Sequence, residues 1–485
     1  MNRIRKVFIL SITGIMAVSC GLLDVENPSG IYGTGFWTTK GEVDSYLTGI
    51  YTSFRSCSNS LEHFEARSDE FILGLEGGGS NQWAQNLTSL NGINWGSYYT
   101  VIQHCNMILK HIDNVSYTDK SEKDEILAEV YTIRAYMYFC LVRLWGDVPI
   151  ELEATEGSDK PLLSRSPAED VMAQIEKDLN AAIGLFPADD WSASKSKASK
   201  RGAYALMADA LLWKAKVLGG TEKDLEDVIT YADLAAEGTS LEPEFSNIYN
   251  NENRNGQEVI WSIHFGYPEI SGNYSHFLTL RDQFVKTAVN MEDIPYAISG
   301  ARSSYQPSPE IRAIFDRYPG DVRKANAYIE AVDAGGNVLG VSQNKMTGTK
   351  TETNRIFDND IILYRHAEML MFKAEALAAL GRVTEAVTEL NKVRNRANIG
   401  DYSGPTDQLS VEKEILEERG REFWLENKRW PDLLRFHYEG VINVYEFVPN
   451  LKERAEVEVI VPLYYAIPLD EMSLNHNLTQ TEGYE

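Results

Sequence analysis

Cysteine is scarce in this chain, with four in 485 residues. Cys20 stands directly after an N-terminal leader, and the other three, Cys57, Cys105 and Cys140, are an odd number far apart, so no disulfide framework holds the fold. No C-x-x-C pair, H-E-x-x-H, Walker A loop or G-x-S-x-G elbow occurs, which removes the chemistries that carry a readable motif. The eight histidines are scattered, and His104 with His111 is too widely spaced for a metal pair on one helix. Asp358-Asn359-Asp360 lacks the rest of a calcium loop and reads as a helix-capping turn. Basic charge is short as well: 46 Lys and Arg stand against 71 Asp and Glu, a net −25. That field opposes nucleic acid and anionic lipid surfaces. Past the leader no apolar run is long enough to span a bilayer. Carboxylates are plentiful, so a glycosidase-type pair stays open on sequence alone.

What is present begins with that leader. Arg3, Arg5 and Lys6 form a charged n-region, Val7–Ile15 an apolar h-region, and Ala17-Val18-Ser19 a small-residue cleavage site before Cys20. Residues 1–19 are expected to leave as a signal peptide, and Cys20 to take a lipid on its sulfur, as at a bacterial lipobox. Several acyl chains on one residue anchor a protein stably where a single chain does not. Residues 20–39 then read as the lipidated cysteine and a tether, and 40–485 as one body. Its 43% hydrophobic and 24% charged residues are an ordinary globular composition.

The body is mostly α-helical. Ile126, Val130, Ile133, Met137, Cys140 and Leu144 recur at spacings of three and four, and Tyr131, Arg134, Tyr138 and Leu141 form a second row beside them. This predicts a long helix over 122–145 with Ser121 and Asp124 at its start, stopped by Gly146 and Pro149. Further helices are expected over 40–54, 97–112 and 166–185. Two Ala-rich pairs follow, 203–218 with 225–237 and 361–380 with 384–397, each broken at glycine, and a last helix covers 409–436. Helix-turn-helix units of about 34 residues are the pattern of tetratricopeptide-like repeats. Between the two pairs, residues 239–360 do not repeat; GQEVIWSIHF reads as a short strand and the rest as an irregular, loop-rich subdomain. The fold class is therefore an all-α helix-pair scaffold carrying an irregular lobe with a few short strands.

These stretches also resemble a known family. The residues that carry the likeness are Ser19-Cys20 followed by LLDVENP, FWTTKGEVDSYLTGIY, and AEVYTIRAYMYFCLVRLWGDVPI. SRSPAEDVMAQIEKDLNAAIGLFP, ILYRHAEMLMFKAEALAALG, EERGREFWLENKRWPDLLR and AIPLDEMSLNHNLTQTEGY continue it to the C-terminus. In order and spacing they are similar to the SusD/RagB outer-membrane nutrient-binding lipoproteins of Bacteroidetes. The resemblance implies a non-catalytic protein on the cell surface of the outer membrane, needing no cofactor. It implies as partner a SusC-like TonB-dependent β-barrel transporter, to which a captured oligosaccharide is delivered. Capture of a peptide or glycopeptide is the alternative within the family, and a helical glycoside hydrolase the alternative outside it.

Arg134, Arg143, Asp147, Arg365, Glu368, Glu375, Arg396, Arg419, Glu422, Arg429, Trp430 and Asp432 are read as pins between helices, since charge-assisted hydrogen bonds hold helices well. The ligand is expected where the helical pattern fails, because binding residues favour loops on a rigid scaffold. A sugar asks for a flat aromatic face and for amide or carboxylate groups at its hydroxyls. Residues 67–95 offer both, in Arg67, Asp69, Asn81, Gln82, Trp83, Asn91 and Trp95, with Gly77–Gly79 expected to admit a ligand close to the backbone. The lobe offers Tyr274, Tyr296 and Tyr305, beside Tyr267 and His276. No metal site is expected.

Overall fold

The computed structural model describes residues 36–157, 161–187, 194–458 and 461–484; the leader and Cys20 lie outside them. The long helix, α3, runs Lys120–Trp145, after α1 (Lys40–Ser58) and α2 (Gly96–His111). Its cap is Asp119, which accepts from Ser121 N at 2.9 Å, and not Ser121. A carboxylate at this end satisfies a free N–H and also faces the positive end of the helix dipole. Gly146, at φ 70°, ends the helix as expected. α3 packs against α2 on one side and α4 (Ala168–Leu185) on the other, which is why two rows of its residues are apolar.

The array continues through α5 (Lys200–Val217) and α6 (Glu222–Ala236), then α7 (His366–Ala379) and α8 (Val383–Arg396). Each pair turns on a glycine with positive φ, Gly219 and Gly381. Helix α7 packs on α6, so the two pairs are stacked although some 130 residues separate them in sequence.

Two boundaries differ from expectation. Residues 361–365 are strand rather than helix: β8 (Ile361–Arg365) pairs antiparallel with β2 (Val259–Ile263), the strand expected within GQEVIWSIHF. Its Ile-Ile-Leu-Tyr run is buried on both faces, a demand that helical spacing alone does not express. The last helix is two, α9 (Gln408–Phe423) and α10 (Arg429–Tyr438), divided where Leu425 and Asn427 adopt φ near +60°. The carbonyls of Glu422 and Trp424 around this break receive Lys345 Nζ.

The lobe holds β3 (Tyr305–Pro307), the hairpin β4 (Tyr328–Val332) with β5 (Val338–Gln343), and the short pair β6 (Thr349–Lys350) with β7 (Arg355–Ile356). A further strand, β1 (Phe71–Leu73), comes from the N-terminal half.

The Arg and Glu residues read as pins do pin. Arg134 makes two bonds to Asp178 on α4, at 2.8 and 2.7 Å, and one to Asn106 on α2 at 2.7 Å. Asp147 accepts from Ala168 N at the start of α4. Glu422 collects Arg323, Arg365 and Arg396, whose side chains are all covered. Burial pushes its carboxyl up, but Arg396, Arg365 and Arg323 together hold it well below the usual carboxylate range. Arg435 bridges Glu375 and Asp432, and Arg419 also reaches Asp432. Asp358 and Asp360 are likewise spent on structure. Asp358 accepts from Asn251 and Thr349, and Asp360 from Phe265 N while pairing with Arg254.

Candidate functional site

Strands β1 and β3 pair antiparallel, Leu73 opposite Tyr305 and Phe71 opposite Pro307. This ladder joins the two segments singled out for ligand binding through residues more than 230 positions apart. Beyond it the loop 74–80 folds back on the lobe: Gly74 N donates to Ser304 O and Glu76 N to Ser303 O, each at 2.8 Å. Glu76 pairs with Arg281 at 2.7 Å, and Arg281 bridges in parallel to Ala297, beside Tyr296. A continuous surface therefore runs from Trp83 across the glycine loop to Arg281, Gln283 and Tyr296.

On that surface Trp83 is half-buried. Its ring lies against Gly79, its Nε1 donates to Phe71 O at 2.9 Å, and its backbone O accepts from Asn450. The ring is thus fixed before any ligand arrives, which lowers the entropy lost on binding. Asn81 is exposed, and its amide has no partner among the described residues. Tyr296 is half-buried against the small core of Leu280, Val285 and Ile294.

The other expected residues are placed differently. Arg67 is wholly buried: it donates to Leu463 O at 2.6 Å, Pro462 O at 2.8 Å and Gln85, over the Trp430 ring. Asp69 is buried in a two-bond pair with Arg429. Trp95 packs edge-on against Trp145 and Tyr99, and Tyr274 is enclosed with its hydroxyl on Leu425 O. Asn91 closes a turn through Thr88 N and Asn86 O, and Gln82 is buried. Buried groups with internal partners have nothing left to offer a ligand, so Arg67, Asp69, Trp95 and Tyr274 support the loops, whereas Asn91 is half-buried and the Gln82 amide has no partner among the described residues. Tyr305 has a buried ring, but its hydroxyl joins Glu62 and Ser80 beneath the glycine loop, at 3.0 and 3.1 Å.

The glycines also shape the loop itself. A Cβ on Gly74 or Gly77 would collide with the carbonyl oxygens of Ser303 or Ser304, and one on Gly79 with the Trp83 ring. The small size of Gly74 and Gly77 brings the loop against its own lobe, while a Cβ on Gly78 would meet nothing within 4 Å.

Glu62, Ser80, Glu76, Arg281 and Gln283 were not among the expected residues. Ser80, next to the glycines, is the one with a local cue. Glu62 is a half-buried acid whose pKa is raised by partial burial, against the lowering effect of Ser80 and Tyr305. Arg281 and Glu76 carry no sequence signal, since only the pairing of β1 with β3 brings them together. Among the described residues no group of three His, Cys, Asp or Glu could hold a metal ion, and no helix is long and apolar enough to cross a membrane.

A family model described as the SusD family matches residues 318–484, and another described as starch-binding, associating with outer membrane, matches residues 22–212. SusD-like protein P38 of Formosa agariphila is 25% identical over 97% of this chain and 98% of its own length. The starch-binding protein SusD of Bacteroides thetaiotaomicron is 34% identical over a shorter stretch, 26% of this chain and 22% of that one. Among solved structures, NanU of B. fragilis superposes with a TM-score of 0.81 at 25% identity, covering 95% of this chain and 100% of that one. Matches at both ends, end-to-end likeness to P38 and the shared helical architecture lead to one conclusion: the chain belongs to the SusD/RagB family.

Proposed function

We propose that this protein captures an oligosaccharide at the bacterial cell surface, anchored by a lipid on Cys20, and delivers it without catalysis to a SusC-like TonB-dependent barrel. The observation that carries the reading is the β1–β3 ladder, which joins the loop holding the half-buried Trp83 ring and the unpartnered Asn81 amide to the lobe, where Glu76 of the same loop pairs with Arg281. A ring face suits the C–H side of a pyranose, and the amide and charged groups suit its hydroxyls. Membership of a family described as starch-binding and associated with the outer membrane supports both the ligand class and the location.

Calorimetry of the purified protein against a panel of neutral and acidic oligosaccharides, with a peptide panel beside it, tests the proposal. At least one saccharide should bind, and Trp83→Ala should weaken that binding about tenfold, the effect expected for loss of one aromatic platform. Binding confined to peptides, or saccharide binding indifferent to Trp83, would overturn it.

A further inference from the structure

A second cleft lies away from this surface. It has a volume of about 450 Å³, between the segment 245–252, the end of the helical turn Val322–Ala327, and residues 344–349. That is within the range of about 300–1,000 Å³ usual for small-molecule sites. None of its lining residues belongs to the Trp83 surface.

Its floor is built and rigid. Asn251 Nδ2 donates to Thr349 Oγ1 at 3.0 Å and to Asp358 Oδ1 at 2.9 Å, while its Oδ1 accepts from Asn359 Nδ2 at 3.0 Å. Asn359 in turn bonds Tyr249 O at 2.8 Å and Gly348 N at 2.6 Å. Gly348 is at φ 65°, and a Cβ there would strike Ile356 O, so the turn depends on glycine.

The rim is the opposite, a set of polar groups with hydrogen-bonding capacity to spare, the exposed Glu252 carboxylate among them. Asn326 and Asn344 use their Nδ2 on Val322 O and Ala325 O, which orients each amide and leaves its Oδ1 as an acceptor. Asn250 uses its Oδ1 on Glu252 N and keeps an Nδ2 donor. Asn247 keeps a whole amide, and Thr347 a hydroxyl, with no partner among the described residues. The lining cation, Lys345, is buried and committed to Glu426 and to the carbonyls of Glu422 and Trp424, so no free positive charge faces an anion. Phe245 and Tyr249 supply ring surface in the same wall.

Preoriented amide donors and acceptors, with the Glu252 carboxylate as a further acceptor and no free cation, match groups that both donate and accept, as each hydroxyl of a neutral sugar does. We infer that this cleft is a second, independent binding site for a neutral saccharide unit. The inference stands on the chemistry of the cleft and uses no part of the Trp83 surface.

Hydrogen exchange read by mass spectrometry on the whole protein, with maltohexaose and laminarihexaose as probes, tests it. One of the two sugars should slow exchange in 245–252 and 344–349. The double variant Asn247→Ala/Asn344→Ala, both half-exposed side chains, should weaken that protection about tenfold while Trp83→Ala leaves it intact. An unchanged melting temperature shows that the double variant is folded, and single Asn247→Ala replaces it if it is not. Protection confined to 74–83 and 281–305, absence of protection in the cleft with both sugars, or cleft protection indifferent to the asparagines would overturn the inference. Cleft protection with no response in the loops would sustain it and count against the Trp83 reading instead.

Discussion

Glu65 and Glu70 are both fully buried, and each has one carboxyl oxygen without a donor, Glu65 Oε2 and Glu70 Oε1. A proton shared between them satisfies both oxygens. Burial pushes the Glu65 pKa up to about 7, and burial with the neighbouring Glu65 charge raises Glu70 well above its usual range. The folded protein therefore binds more protons than the unfolded chain between about 4.5 and 7, and stability falls as pH rises through that window. Glu65→Gln, neutral at every pH, should flatten the slope and raise stability at pH 8 by on the order of 2 kcal/mol, read from urea unfolding at pH 5 and pH 8. At Asp69 the expectation is the reverse. Asp69→Asn leaves the Arg429 guanidinium without its buried counter-charge, and should cost about 3 kcal/mol or more while saccharide affinity in the folded fraction is unchanged. Sequence could nominate Asp69 by type and neighbourhood. It could not show that residue 429, 360 positions away, already holds it.

Among the elements, the glycine loop and the broken last helix carry the consequences. Gly77 and Gly78 are adjacent and alike in sequence, yet a Cβ on Gly77 meets Ser304 O whereas one on Gly78 meets nothing within 4 Å. Gly77→Ala should lift the loop from the lobe, cost about 1–3 kcal/mol and weaken ligand binding, while Gly78→Ala changes neither. Thermal unfolding and calorimetry of the two variants side by side check this. Helical periodicity made α3, α5, α6 and α8 legible because each buries a stripe wide enough to show in the spacing. Residues 361–365 escaped it because an apolar run buried on both sides reads alike as strand or helix, and β2 decides which. The break at Leu425 and Asn427 escaped as well. Non-glycine residues at positive φ are held by tertiary contacts, here including Lys428 N donating to Glu65 Oε1 at 3.0 Å.

Across the whole molecule, the C-terminal tail and the buried ion network close the structure. Arg67 reaches Pro462 O and Leu463 O, Trp145 Nε1 donates to Ala466 O, and Tyr465 N to Leu144 O. Ending the chain at Val461 strands that guanidinium and the end of α3, and should lower stability by about 3 kcal/mol or more, seen as an earlier urea midpoint. Acid should act through the network. Burial raises Glu426, but Arg365 and Lys345 bring it down to about 2. A depressed carboxylate adds stability that is present above its unfolded value of 4.5 and lost as pH falls toward 2. Circular dichroism across pH 5 to 2 should show unfolding in that window, and Glu426→Gln should remove part of the dependence at the cost of lower stability at pH 7.

Sequence by itself determined the helix pairs, the pins between them and the family, because each is written in short-range spacing or in motifs whose order survives along the chain. It also marked the two irregular regions where a ligand is expected. Which residues of those regions face solvent was decided only by tertiary structure. The β1–β3 ladder and the Arg67, Asp69 and Tyr274 contacts all join residues more than 150 positions apart. Exposure follows from what covers a side chain, and in this protein the cover comes from the far end of the chain.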